Sequence, residues 1–149
     1  MVIDVSQQLR EPVGSMRHYS FDRRGASPDR EDAYIGEVSL LRTDGGIFVR
    51  GILHINVEAV CSRCLCSYEQ PLTLKIEEEF LLTADPSTGA SLPWTGEEGS
   101  FTINEKQEID LAEAVRQYSL LALPLMPLCR QDCRGLCPSC GHNLKLGPC

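Results

Sequence analysis

The sequence lacks any apolar run near the roughly 18–20 residues that a membrane-spanning helix requires, so an integral membrane protein is not expected. It also begins without the apolar stretch of a secretory leader, because Asp4 and Arg10 interrupt the first ten residues. Both absences favour a cytoplasmic protein. In that compartment thiols stay reduced, and clustered cysteines favour a bound metal over disulfides.

Motifs of common enzyme chemistry are absent as well. The chain has no glycine-rich phosphate-binding loop and no nucleophile motif. A zinc deaminase would need a glutamate two residues after its histidine, whereas Asn56 stands two residues after His54. We therefore expect neither catalysis nor a small-molecule substrate.

Positive charge is scarce in the middle of the chain. The net charge is −7, and residues 77–113 hold ten acidic residues against one lysine. From residue 114 onward the balance is +3. The acidic middle would repel a nucleic-acid backbone, while the C-terminal part would attract one. Any RNA contact is therefore expected at one end of the molecule, and the middle suits a basic protein.

Cysteine, by contrast, is abundant, and five of the eight cysteines lie in the last twenty-one residues. Cys137-Pro-Ser-Cys140-Gly is a C-x-x-C turn, and Cys61-Ser-Arg-Cys64 is a second one about seventy residues earlier. Such a turn directs two thiolates towards one tetrahedral ion, so two turns supply a full set of zinc ligands. A structural site with four thiolates is closed, which again argues against catalysis.

The spacing leaves the grouping of the cysteines open. The last C-x-x-C pair could join the nearby pair 129 and 133, or the hairpin pair 61 and 64, around one zinc ion. A third arrangement holds two ions, with the earlier four cysteines on one and the remaining three on the other. We expect one zinc ion, or two in the third arrangement. The candidate ligands are Cys61, Cys64, Cys129, Cys133, Cys137, Cys140 and Cys149, whereas Cys66 and His142 are expected to be outside the site.

Strand and helix patterns surround these turns. Residues 47–59 and 72–82 alternate apolar and polar side chains, which predicts two antiparallel strands joined through the turn at 61–64. A shorter strand is predicted at 34–41, and Thr43-Asp44-Gly45-Gly46 predicts the hairpin turn that follows it. An edge strand is predicted at 16–21.

One helix is predicted to start with a capping box at Asp110 and Glu113 and to end before Pro124. Its predicted core face consists of Leu111, Ala114, Val115, Tyr118, Leu121 and Ala122. The predicted fold is α+β, mainly an antiparallel sheet, barrel-like or a meander, with one or two helices and a cysteine-rich, zinc-binding tail. Residues 1–128 would form the body, with a flexible acidic loop at 85–100, and residues 129–149 the tail packed on it.

Four motifs in this order resemble one known family. They are Cys61-Ser-Arg-Cys64-Leu65, Ile109-Asp110-Leu111, Leu123-Pro124, and Gly135-Leu-Cys-Pro-Ser-Cys-Gly-His-Asn-Leu144. Together they are similar to the YceD family of large-ribosomal-RNA accumulation proteins.

The resemblance implies a cytoplasmic, non-enzymatic bacterial factor needed for normal levels of large-subunit (23S) ribosomal RNA. Its partner would be ribosomal RNA or a large-subunit ribosomal protein. An RNA contact is suggested by arginines near the N-terminus, including Arg24 and Arg30, and by the basic tail. The alternatives are a zinc-stabilised module that binds a basic ribosomal protein, and a thiol redox sensor.

Overall fold

An antiparallel meander of four strands dominates the computed structural model, which describes residues 1–23 and 34–149. A two-stranded sheet and one α-helix complete the α+β fold, as predicted. The elements are β1 Val2–Asp4, a 3₁₀ turn Gln8–Arg10, β2 Met16–Arg23, β3 Tyr34–Arg42, β4 Gly46–Val60, β5 Ser67–Leu81, β6 Glu108–Asp110 and α1 Ala112–Ala122. The strand order β2-β3-β4-β5 makes the larger sheet an open meander rather than a barrel.

The long hairpin of β4 and β5 is the central element. Its register runs from Gly46 opposite Leu81 to Val60 opposite Ser67, fifteen paired residues on each strand. The alternating pattern of the sequence places Leu53 and its like-facing neighbours in the core and their polar neighbours in solvent. The 61–66 turn therefore lies at one end of the sheet, a hairpin length away from the turn that precedes β4.

At the opposite end, β3 and β4 are joined by the predicted glycine turn. The Thr43 amide donates to the Gly46 carbonyl at 3.0 Å, and the Gly46 amide donates to Thr43 Oγ1 at 2.9 Å. A Cβ on Gly46 would lie 2.0 Å from the Phe80 carbonyl oxygen. Glycine is needed here because β5 passes so close to the backbone.

The main core lies on one face of the four-stranded sheet. Strand β1 pairs with β6, and these strands, the 3₁₀ turn and α1 cover that face. Because the other face remains solvated, the sheet strands show the alternation of a one-sided antiparallel sheet. The fully buried large side chains include Leu40, Ile47, Leu53, Leu74, Ile76, Phe80, Ile109 and Leu111.

The helix differs from its prediction at both ends. Asp110 Oδ1 accepts the Ala112 amide at 2.9 Å, but Glu113 bonds Arg116 and Gln117 instead of reaching back to close a capping box. The predicted core face also stops early, because Leu121 is 83% exposed. Ala122 is exposed too. The last turn of α1 contributes the buried Ser119 instead.

Candidate metal centre

Four cysteines from distant parts of the chain meet at the end of the long hairpin, and we call them the inner centre: Cys61, Cys64, Cys129 and Cys133. Their sulfurs all lie within 4.8 Å of one another. The Cys61–Cys133 and Cys64–Cys129 Sγ distances are both 3.8 Å. A tetrahedral ion with Zn–S bonds of about 2.3 Å requires sulfur–sulfur edges of about 3.8 Å. A disulfide would need about 2.05 Å, and all four thiols are free.

Backbone contacts hold the two halves of the inner centre together. Leu65 has a φ of 58°, which lets the chain turn back so that the Cys61 amide donates to the Cys66 carbonyl at 2.9 Å. The Ser62 amide donates to the Pro127 carbonyl at 2.8 Å. These contacts join the hairpin turn to the extended segment after the helix.

Arg63 makes a second tie between the two halves. Its Nη1 donates to the carbonyl of Cys133 at 3.0 Å. Gly135, with a φ of +75°, leaves room for the Arg63 backbone, since a Cβ there would lie 3.0 Å from the Arg63 carbonyl oxygen. The hairpin turn and the tail are thus fitted to each other around the sulfurs.

The inner centre has almost no apolar core of its own. Cys61, Cys64 and Cys133 are at most 3% exposed. They form a small cluster separate from the main core; in the described part of the chain, the partly buried apolar residues packed on it are Tyr68, Leu128 and the nearby cysteines 66 and 129. A bound ion would therefore replace the apolar contacts that this end of the protein lacks.

The thiols of the inner centre differ in acidity. Backbone N–H groups of Cys129 and Cys64 lower the pKa of Cys61 to about 5, because they stabilise its thiolate. Desolvation raises the pKa of Cys133 to about 11. One thiol thus gives up its proton easily while its neighbour retains one. A cation in the middle would replace the retained proton and stabilise the thiolates together.

Three further cysteines form a second group in the tail, which we call the outer centre: Cys137, Cys140 and Cys149. Their sulfurs also lie within 4.8 Å of one another, but Cys140 and Cys149 are exposed. The Cys137 and Cys149 sulfurs are 3.0 Å apart, closer than a zinc edge and longer than a disulfide. The Cys149 thiol and the Cys140 amide lower the pKa of Cys137 to about 6.

The structure therefore groups the cysteines as the third of the predicted arrangements does. Within residues 1–23 and 34–149, these two groups are the ones that could hold a metal ion. Cys66 belongs to neither, and its Sγ accepts a hydrogen bond from Asn143 Nδ2 at 3.2 Å. His142 is exposed.

Sequence reasoning missed two residues at the inner centre, Asn143 and Lys145. Lys145 Nζ donates to Cys129 Sγ at 3.2 Å, and this contact raises the pKa of the ammonium. In the sequence, Asn143 belongs to the tail motif and Lys145 to the basic tail, and both lie between Cys140 and Cys149. Nothing in that spacing says that the loop folds back over cysteines from another part of the chain.

Two arginines of the predicted basic regions, Arg17 and Arg130, form ion pairs with carboxylates. Arg130 Nε lies 3.4 Å from Asp132, and Arg17 Nη2 lies 2.5 Å from Glu11. Arg24 and Arg30, which suggested an N-terminal RNA contact, lie outside the described residues.

Four of the ten acidic residues between 77 and 113 line one groove beside β5. They are Glu78 and Glu79 of the strand and Glu97 and Glu98 of the following loop. In the described part of the chain, none of the helices has the length and apolarity needed to cross a membrane.

Curated relatives come from mycobacteria. Uncharacterized proteins of Mycobacterium bovis and Mycobacterium tuberculosis are each 27% identical to this chain over 155 residues, covering 99% of it and 72% of their own length. An uncharacterized protein of Mycobacterium leprae is 28% identical over 102 residues, covering 68% of this chain and 45% of its own length. No solved structure matches the chain.

Residues 49–149, which include both cysteine groups, match the family described as "Large ribosomal RNA subunit accumulation protein YceD". That family is not known as an enzyme family. The resemblance stated from the motifs is therefore confirmed, and the chain belongs to the YceD family.

Proposed function

We propose that this protein is a non-enzymatic cytoplasmic factor that supports accumulation of large-subunit ribosomal RNA and that zinc shapes its C-terminal end. The family assignment supports the ribosomal role. The zinc is supported by the two 3.8 Å sulfur–sulfur distances at the inner centre. In this proposal the ligands are the four cysteines of the inner centre, with a second ion held by the three of the outer centre.

Zinc fits the donor set better than other common ions. Four thiolates are soft ligands, which magnesium and calcium avoid, and a tetrahedral thiolate site selects zinc or iron. Three of the four cysteines are buried, so the inner centre has no position for a substrate. The ion would supply structure: it would hold the 61–66 turn against the 129–133 segment, so that residues 129–149 form a tail packed on the body.

Metal content tests the first half of the proposal. Native mass spectrometry of reduced protein should show one or two zinc ions per chain, which a chelator removes. The Cys64→Ser variant should lose the inner ion. Cys66→Ser is the matched control: Cys66 is outside the centre, and a serine hydroxyl can still accept the hydrogen bond from Asn143, so this variant should retain the wild-type metal content. Metal-free wild-type protein would contradict the proposal.

Ribosomal RNA levels test the second half. Cells lacking the gene should have a reduced ratio of large-subunit to small-subunit ribosomal RNA. Wild-type protein and Cys66→Ser should restore that ratio, and Cys64→Ser should not. Equal ratios in all strains, together with a protein that never sediments with large-subunit precursors after crosslinking, would refute the ribosomal role.

A protein partner is the second candidate, and charge favours it over direct RNA binding by the tail. Four thiolates with one divalent ion carry a charge of about −2, and three carry about −1. These charges offset the +3 of residues 114–149. Meanwhile the groove of Glu78, Glu79, Glu97 and Glu98 stays strongly acidic. Such a groove suits a basic ribosomal protein.

Charge reversal separates the two candidates. Changing Glu79, Glu97 and Glu98 to lysine should abolish capture of basic large-subunit proteins at low salt, because rim charges steer association. Reversing Glu105, which lies outside that groove, is the control. If the triple variant still captures these proteins, this candidate is wrong. If it instead gains RNA binding, the repulsion argument is supported.

A further inference from the structure

The loop between Cys140 and Cys149 lies against the inner centre although its ends belong to the outer centre. Lys145 Nζ is 3.2 Å from Cys129 Sγ, and Asn143 Nδ2 is 3.2 Å from Cys66 Sγ. The Cys66 carbonyl accepts a hydrogen bond from the Cys61 amide, and this bond closes the 61–66 turn. One short loop thus contacts both the tail half and the hairpin half of the buried site.

The first part of this loop is held against residues 135–137 by an antiparallel bridge between Leu136 and Asn143, in which the Cys137 amide donates to the His142 carbonyl at 2.8 Å. The Leu144 amide donates to the Gly135 carbonyl at 3.0 Å, and the Leu146 amide donates to the Asn143 carbonyl at 3.0 Å. Beyond Leu146, which is 81% exposed, the chain returns to the outer centre through the Cys149 sulfur. An ion bound by Cys137, Cys140 and Cys149 would therefore close the loop at both ends.

The contacts made by the loop bear on how tightly the inner centre holds its ion. Four thiolates around one divalent ion leave a net charge of about −2. This excess negative charge weakens the metal–sulfur bonds. An ammonium hydrogen-bonded to one sulfur offsets part of that charge. Residues that hydrogen-bond metal ligands typically change metal affinity by roughly 10–100-fold.

We propose that the outer centre is a latch for the inner one: an ion on Cys137, Cys140 and Cys149 closes the loop, and the closed loop holds Lys145 and Asn143 on the inner centre. The two sites are then coupled: metal at the outer centre raises the affinity of the inner centre for its ion, which is observed as slower metal loss. By reciprocity, an occupied inner centre raises the affinity of the outer one. Lys145 and Asn143 are positioning residues here, because neither contacts the ion. This inference rests on the metal binding proposed above.

Metal release from the full-length protein tests the latch. Cadmium-loaded protein should give one NMR resonance for each site, so that loss from the two centres to excess chelator is followed separately. The inner ion should leave roughly 10–100-fold faster from Lys145→Met than from wild type. Lys145→Arg keeps the positive charge and should restore slow release. Lys106→Met removes an exposed lysine far from both centres and should release at the wild-type rate.

The Cys149→Ser variant distinguishes a latch from a local effect of the lysine. It should still bind the inner ion, but release it about as fast as Lys145→Met does. Combining the two changes should add little, since both open the same loop. Fully additive effects, or an inner release rate from Cys149→Ser within about twofold of wild type, would overturn the latch.

The failure of this inference is distinguishable from that of the proposed function. Wild-type protein that binds no metal would refute both. Wild-type protein that binds one ion at the inner centre, with no outer resonance at any metal concentration, would refute the latch and leave the structural zinc in place. Circular dichroism of each variant shows whether the fold is retained, and Lys145 is an exposed residue whose replacement leaves the main core untouched.

Discussion

Removal of the metal should lower the melting temperature by a calculable amount without unfolding the protein at room temperature. Among the residues that the structure describes, seventeen buried ones form the main core, separate from the inner centre. The sheet and helix should therefore remain folded in chelator, unlike a zinc finger, which unfolds without its metal. What chelation removes is the extra stability that the bound ion gives to the folded state.

The size of that stability follows from mass action. A binding free energy of about 10 kcal/mol, the lower end for structural zinc, corresponds to a dissociation constant of about 50 nM. Free zinc at about 5 µM is then about 100-fold above it and contributes about 2.7 kcal/mol. Unfolding 149 residues releases about 0.3 kcal/mol per kelvin of entropy at the midpoint. The expected decrease in melting temperature is therefore about 9 °C.

Differential scanning calorimetry with and without chelator measures this shift. Cys64→Ser, which lacks only the inner ion, should melt near the chelated wild type and should respond to chelator less than the wild type does. Cys66→Ser should show a shift like that of the wild type. A wild-type shift below about 2 °C, in protein shown to carry stoichiometric zinc, would refute the reasoning that the ion replaces a missing core at this end.

Three further predictions concern the body. Phe80→Ala should destabilise the fold by about 3–5 kcal/mol in urea unfolding, because Phe80 is 1% exposed in the main core; a loss below about 1 kcal/mol would contradict the packing described. Gly46→Ala should fail to fold or lose several kcal/mol, since its Cβ would lie 2.0 Å from a carbonyl oxygen; a circular dichroism melt like that of wild type would refute that crowding. Hydrogen bonds from Arg116 and Gln117 lower the pKa of Glu113 to about 2 from an ordinary 4.5, so its stabilising effect should be present above pH 4.5 and be lost as the pH falls towards 2. Unfolding of wild type and Glu113→Gln at pH 6 and pH 3 checks this, and a difference that is equal at both pH values would count against it.

The sheet was predictable because period-two alternation is a local property. The alternation in residues 47–59 and 72–82 distinguished the core face of β4 and β5 from their solvent face. The glycine turn before β4 indicated that the chain reverses direction there. The helix was less predictable at its ends. Leu121 continues the apolar spacing of α1, yet it is exposed, whereas Ser119 is buried and Leu123, just after the helix, packs against the main core.

The sequence by itself determined the fold class, the C-x-x-C turns and the set of cysteines that are candidate ligands, since alternation, turn residues and short spacings are local. Only the tertiary structure decided that Cys129 and Cys133 meet Cys61 and Cys64, while Cys137, Cys140 and Cys149 form a group of their own. The reason is that the fifteen-residue strands of the hairpin place the 61–66 turn at the end of the sheet, and the fold of the helix and tail decides which cysteines reach that turn. Residues 61 and 133 are separated by 72 positions, and no local pattern specifies which distant sulfurs come within reach of one ion.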